Sequence, residues 1–385
     1  MADEFRAVGP AHDADNSFSY AMAARFRSLG LAGLNVPKRF GGWGADVATT
    51  ARCAELLAYG DPAIALAFNM HFGVIGFFRG MWREEHQARY FPGVAAQAHL
   101  FDGAYSETRA GVMGLADTRA VPVDGGYRIT GRKSWGTLSL VADFHTFNAT
   151  ITDADGQLPT SHDQRLAREV MFVCPASTDG VRVEHTWDAL GMRASGTETV
   201  MFENAFVPTT NLVCADFRPG LLANLEWQTL TFASIYLGLA RRAYDETRSI
   251  VRSKRLGAVA EAADIKLSEQ PLVQTGIGEM RVLLEAAANC IEVAGARLNE
   301  DRDLPSDPQQ RLALLEIPKV VATEHAIRVV DTGMRLVGGG AFRRGHVLEK
   351  LYRDARSGPF HPLTTDQLMQ LLGRVELDSD LAARR

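Results

Sequence analysis

From Leu221 onward, apolar residues recur at helical spacing over long, nearly unbroken stretches, and no other feature limits the fold of this chain as strongly. Glu226 to Leu256 reads as one helix, about 45 Å long at a rise of 1.5 Å per residue. A second is expected from Pro271 to Asn299, with the proline in the first turn, where a missing N–H costs nothing. Gln309 to Val337 reads as a third, stopped by Gly338-Gly339-Gly340, and a fourth follows from about Thr365. Long helices with short connections predict an antiparallel four-helix bundle.

The preceding residues have two other textures. Between about Phe18 and Ala98 the spacing is again helical, in shorter pieces interrupted by Gly41-Gly42-Trp43-Gly44. Between about Leu100 and Phe217, short β-branched and aromatic runs appear: Tyr127 to Thr130, Val170 to Val173 and Thr199 to Phe202. Turn signals such as Asp124-Gly125-Gly126 and Val207-Pro208 separate them, so this part reads as a small antiparallel β domain, with Asp153 to Arg168 as a polar loop. At 385 residues the chain exceeds what one core usually covers. The expected organisation is mainly α with a central β domain: a helical domain over 1–98, a β-barrel or sandwich over 99–218, and the bundle over 219–385.

A formal charge of −5 gives no electrostatic case for binding nucleic acid or an anionic membrane. No apolar run reads as approaching the roughly 20 residues of a membrane span. Met1 to Asn16 is too charged for a signal peptide, so a cytoplasmic location is expected. Cys53, Cys174, Cys214 and Cys290 form no C-x-x-C pair, and the ten histidines form no H-E-x-x-H pattern, so no metal site is expected.

Several local motifs, in order, carry a resemblance. They are Gly33 to Gly44, Tyr105-Ser106-Glu107, and Gly131-Arg132-Lys133-Ser134-Trp135-Gly136-Thr137 followed by Ala142-Asp143. The most specific is Leu190-Gly191-Met192-Arg193-Ala194-Ser195-Gly196-Thr197, and Leu351-Tyr352-Arg353-Asp354-Ala355 closes the series. Together they resemble the acyl-CoA dehydrogenase superfamily, which implies a flavin cofactor, FAD first with FMN open. The resemblance implies that Tyr105, Ser106, Trp135 and Thr137 meet the flavin. Trp135 would supply an apolar wall and Thr137, two residues along a strand, a hydroxyl on the same side. Where the family grips the adenosine half of FAD from a neighbouring subunit, this chain has Ser253 and Leu256 in place of arginine and phenylalanine. Arg252 and Arg335, beside Gly338 and Gly339, could still hold the pyrophosphate or form a solvated basic face, and the shared site implies a homodimer or homotetramer. Arg193 and Ser195 are candidates for positioning a polar substrate or coenzyme.

The departures from the family are as informative. Its members abstract a substrate α-proton with a glutamate, at one of two places. Here those places align with Pro362 and Gln228, neither of which is a base. Glu226 lies two residues from Gln228, about 200° round a helix. Phe360-His361-Pro362 resembles the Leu-His-Asp-Pro segment of flavin-dependent monooxygenases that share the fold, without its aspartate. His361 is therefore the candidate for proton transfer beside the flavin. The sequence points first to an O2-using monooxygenase supplied with reduced flavin by a partner reductase. The alternatives are an acyl-CoA or acyl-carrier-protein dehydrogenase whose base has moved to Glu226, Glu107 or His361, and a flavin- or acyl-binding protein without catalysis. A dehydrogenase would use an electron-transfer partner instead.

Overall fold

The computed structural model describes residues 1–108, 114–255, 265–300 and 303–377. Five helices come first: α1 (Ala2–Asp15), α2 (Tyr20–Ser28), α3 (Val47–Gly60), α4 (Pro62–Met81) and α5 (Glu84–Gln97). The corner between α3 and α4 is set by Asp61, whose carboxylate accepts from the Ala63 and Ile64 amides at 3.0 and 3.1 Å, with Pro62 opening α4. Helix α4 corrects the expectation that no segment has the length and apolarity of a membrane span. An 18-residue stretch of this 20-residue helix reaches a mean hydropathy of 1.3, yet 83% of that stretch is buried by the protein itself. A helix that is apolar all round is accommodated here as the central core helix.

Among the described residues eight strands follow: β1 (Phe101–Gly103), β2 (Arg119–Val123), β3 (Gly126–Thr137), β4 (Phe144–Ile151), β5 (Glu169–Pro175), β6 (Val181–Glu184), β7 (Thr197–Pro208) and β8 (Leu212–Cys214). They form one sheet in the order β6-β7-β3-β2-β4-β5-β8, with β1 beside β4. The sheet is mixed rather than antiparallel, because β4 runs parallel to both β1 and β2. The tight Asp124–Gly126 hairpin sends β3 to the far side of β2, so β4 returns along β2 in β2's own direction. The polar loop contains a short helix, α6 (His162–Ala167), capped by Ser161.

The last part comprises α7 (Phe217–Ala223), α8 (Glu226–Ser253), α9 (Pro271–Glu300), α10 (Pro308–Val337), α11 (Val347–Ala355) and α12 (Thr365–Glu376). Two differences from the sequence reading stand out. Helix α8 stops at Ser253, and α11 is an additional helix between the glycines and Thr365. Helix α8 is the axis of the molecule, packed against α3, α4, α9, α10 and α11. Glycines allow the closest approaches. A Cβ on Gly238 would lie 2.3 Å from the Glu55 carbonyl of α3, and one on Gly76 of α4 would lie 2.3 Å from the Trp227 ring.

Candidate active site

The sheet side of the site is organised by an irregularity in β3. Opposite β7, the register slips between Lys133 and Gly136, placing one extra residue in β3. Trp135 occupies this bulge at φ 64°, a conformation bulky residues rarely adopt, and its ring is 58% exposed. The Trp187 ring meets it edge-on at 5.9 Å. Simple alternation would put Thr137 on the same side, but Thr137 is buried. Its hydroxyl starts a short relay, 2.9 Å to Thr197 and then 2.6 Å from Thr197 to Ser195. Ser106 joins this region through its carbonyl, which accepts from the Ser134 amide at 2.9 Å. The Tyr105 side chain does not join it. It is buried against Phe217, and its hydroxyl bonds Thr146 at 2.8 Å.

Behind β3 lies a buried ionic network. Lys133 donates to Glu107 at 2.6 Å and to Asn148 at 2.9 Å. Asn148 in turn donates to Glu169, which is paired with Arg218. Glu107 also accepts from the Thr118 hydroxyl and the Asp117 and Thr118 amides. A carboxylate with this many donors anchors the Tyr105–Glu107 segment and has no capacity left to act as a displaced base.

The bundle side is built around His361. Its ring stacks on Phe232 of α8, with centroids 4.2 Å apart and planes 17° from parallel. Nε2 lies 2.7 Å from the Tyr236 hydroxyl, which lies 2.7 Å from the Ser357 hydroxyl. From α10, the buried Lys319 ammonium donates to the carbonyls of His361 (3.3 Å) and Leu363, while pairing with Glu316 at 2.8 Å. Burial, and then the Lys319 charge, push the His361 imidazole down to about 3, so it is neutral at ordinary pH. Gln228 is buried on the α4-facing side of α8, its amide donating to Met70 Sδ. Burial raises the Glu226 carboxyl, and the charge it feels from across the bundle is Arg311.

Asp354 connects the two sides. Fully buried, it accepts from the Met192 amide at 2.6 Å and from Lys350 at 2.7 Å, and its carbonyl accepts from the Ser357 hydroxyl at 2.6 Å. Met192 in turn receives the Trp187 indole N–H at 3.0 Å. A continuous path thus runs from the exposed Trp135 through Trp187 and Asp354 to the His361 segment. Sequence reasoning missed Phe232, Tyr236, Lys319, Asp354 and Trp187 as parts of one site. Asp354 stood in the Leu351–Ala355 motif with no role assigned to it, and Lys319 carried a signal of its own, a charge with Glu316 three residues before it in an otherwise apolar turn.

The other predicted residues lie elsewhere. Arg193 donates to the Asp13 carbonyl at 2.7 Å and lines a cavity of about 660 Å³ with Arg242, Lys350 and Arg353, between α1, α8 and α11. Arg252 is exposed in the last turn of α8, and Arg335 is exposed and paired with Asp331 at 2.8 Å. Gly338 and Gly339 sit beside this end, where Lys254 donates to the Val337 carbonyl at 2.8 Å and nothing crowds a Cβ on Gly339. His361 touches Phe232 and Tyr236, and the 16 to 20 residues of α8 from these to Arg252 put these groups about 24–30 Å from it.

An exposed indole held out of the sheet by a strained bulge, with a hydroxyl relay beneath it, suits the flat face and polar edge of an isoalloxazine. Comparison with known proteins agrees. The acyl-CoA dehydrogenase N-terminal, middle and C-terminal domains match residues 1–98, 104–205 and 230–365. A putative acyl-CoA dehydrogenase of Bacillus subtilis is 27% identical, over 98% of this chain and 95% of its own. The L-evernosamine nitrososynthase of a Micromonospora species is 30% identical, over 92% and 83%. This chain belongs to the acyl-CoA dehydrogenase superfamily. Among solved structures, the dibenzothiophene monooxygenase TdsC of Paenibacillus sp. A11-2, crystallised with FMN and indole, superposes with a TM-score of 0.86 at 25% identity. That match covers 98% of this chain and 95% of TdsC. Within the superfamily, the place of this chain depends on what stands where the base should be.

Proposed function

We propose that this protein is a flavin-dependent monooxygenase that inserts one oxygen atom of O2 into a small organic substrate. The observation that carries this reading is the site's chemistry where dehydrogenases need a base. Gln228 and Pro362 cannot take a proton, Glu107 is fully engaged, and a neutral imidazole, His361, is held in their place. The nitrososynthase and TdsC relatives support it. Bound reduced flavin supplies the electrons for oxygen activation. Trp135 would stack on one face of the flavin ring, the Thr137–Thr197–Ser195 hydroxyls would lie behind its polar edge, and His361 would exchange a proton at the reacting centre. The flavin can be FAD or FMN, delivered reduced by a separate reductase.

Arg252, Arg335, Gly338 and Gly339 are assigned to a second copy's cofactor, because about 24–30 Å of helix separates them from His361. This makes the active form a homodimer or homotetramer, and exposed Leu272, Val282 and Phe342 supply apolar surface for it. The three functional units are taken to divide near residues 98 and 218, and the cell compartment is taken to be the cytoplasm. The test is turnover of candidate substrates with chemically reduced FMN or FAD under 18O2, with label expected in the product. His361→Ala should lower coupled turnover by about 10²–10⁴-fold. Anaerobic desaturation of butyryl- or isovaleryl-CoA by the wild type, with an artificial electron acceptor, would overturn the reading. It would instead favour Glu226 as the base, its carboxyl raised by burial.

A further inference from the structure

Every proton in the chain of contacts behind His361 can be assigned by counting donors. The Asp354 carbonyl can only accept, so at 2.6 Å the proton between it and the Ser357 oxygen belongs to Ser357. A serine has one hydroxyl proton, and this contact uses it. The 2.7 Å contact between the Tyr236 and Ser357 oxygens must then be bridged by the tyrosine's proton. Tyr236 likewise has only one, so its 2.7 Å contact with His361 Nε2 has to be bridged from the histidine. For a neutral ring, any other assignment leaves two oxygens, or an oxygen and a nitrogen lone pair, facing each other at hydrogen-bond distance with no proton between them.

We infer that His361 is held as its Nε2–H tautomer by Tyr236 and Ser357, leaving Nδ1 unprotonated as the ring's only free polar atom, so that it presents a proton acceptor to the flavin and substrate. Tyr236 and Ser357 are positioning residues, and Asp354 is the fixed end of the chain. The surrounding charges agree with a neutral ring. Lys319 of α10 is close and cationic, its partner Glu316 is occupied by Lys319 and the Thr229 hydroxyl, and the Asp354 carboxylate on α11 is taken by Lys350. The sign of proton transfer follows. The ring begins each cycle by accepting a proton or hydrogen bond at Nδ1, from an O–H or N–H of a neutral substrate, rather than by donating one. This role at the reacting centre rests on the oxygenase reading above, but the tautomer does not.

The test uses protein labelled with [15N]histidine and loaded with FMN, with His361→Gln identifying the signal that belongs to His361. Long-range 1H–15N spectra at pH 7 should show Nε2 protonated and Nδ1 bare. Ser357→Ala supplies the diagnostic result. With no serine oxygen to receive it, the Tyr236 proton turns to Nε2, and the His361 proton should move to Nδ1. Tyr236→Phe should instead leave a mixture of tautomers, and Ser357→Thr should restore the wild-type pattern. A merely structural role for Ser357 would not invert a tautomer. An Nδ1–H ring or an imidazolium in the wild type overturns the inference, as does a Ser357→Ala spectrum unchanged from wild type. If the tautomer is as stated while the protein desaturates thioesters anaerobically, the inference stands and the oxygenase reading falls.

Discussion

At the scale of single residues, the motif positions were legible but their environments were not. Trp135 could be singled out by its segment, yet its exposure comes from a bulge that no local pattern encodes, because a slipped register depends on the partner strand β7. Tyr105 shows the opposite outcome, a motif residue whose ring is committed to the core. Tyr236 was invisible because it shares its helical spacing with the ordinary core residues of α8, and only the arrival of the 357–361 segment gives its hydroxyl a purpose. Trp135 yields a direct prediction. Its exposed indole has one aromatic neighbour and offers its remaining surface to the cofactor, so Trp135→Ala should leave the fold intact. Flavin affinity should fall about tenfold or more, since an aromatic contact contributes roughly 0.5–1.5 kcal/mol beyond the area it buries. Fluorescence titration with FMN and FAD checks this, and an unchanged dissociation constant for both would remove Trp135 from the flavin wall.

At the scale of elements, helical and strand periods were enough to order the three parts, since spacings of 3.6 and 2 are local properties of sequence. Strand direction was not recoverable, because the parallel pairing of β4 with β1 and β2 is decided by where the connections return. Helix α11 was overlooked because its nine residues are strongly amphipathic but too short to stand out between glycines and prolines. The contact between α10 and the His361 segment includes one buried pair, Lys319 and Glu316, which are 1% and 0% exposed. Lys319→Met should leave Glu316 as an uncompensated buried carboxylate and destabilise the protein by about 3–5 kcal/mol. Adding Glu316→Leu removes that charge, so the double variant should recover most of the loss. It should still have a loosened 361–363 segment, whose carbonyls lose their donor. Urea unfolding of the two single variants and the double variant checks this. A double variant no more stable than Lys319→Met alone would show that the pair is not the joint between α10 and this segment.

At the scale of the whole molecule, the two most deeply committed histidines make folding itself sensitive to acid. His71 of α4 is fully buried, with its ring bonded to the Ala32 carbonyl at 2.9 Å and the Phe101 amide at 3.1 Å. The amide can only donate, so Nδ1 accepts from Phe101 and the ring is neutral, with its proton on Nε2 directed to Ala32. Burial pushes its pKa down to about 4, and that of His361 to about 3. An unfolded histidine titrates near 6.5, so between these values the unfolded chain binds more protons than the folded one. Stability must therefore rise with pH through this window. The contribution of His71 is complete above about pH 6.5 and is lost as the pH falls through about 4, where the loss is on the order of 3 kcal/mol. Helix α4 packs on β1 and α8, and its Phe68 stacks on Phe26 of α2, so the penalty falls on the core shared by the sheet and the bundle. Urea midpoints measured from pH 7 to pH 4 should decline steeply in the wild type, before most carboxylates titrate. His71→Gln keeps an amide donor for Ala32 and an acceptor for Phe101 but has no proton to gain. It should be less stable at pH 7 and should show a distinctly flatter decline towards pH 4. Parallel declines in the two proteins would mean that His71 is not the group that charges, and that the acid sensitivity lies with the His361 segment or the carboxylate networks.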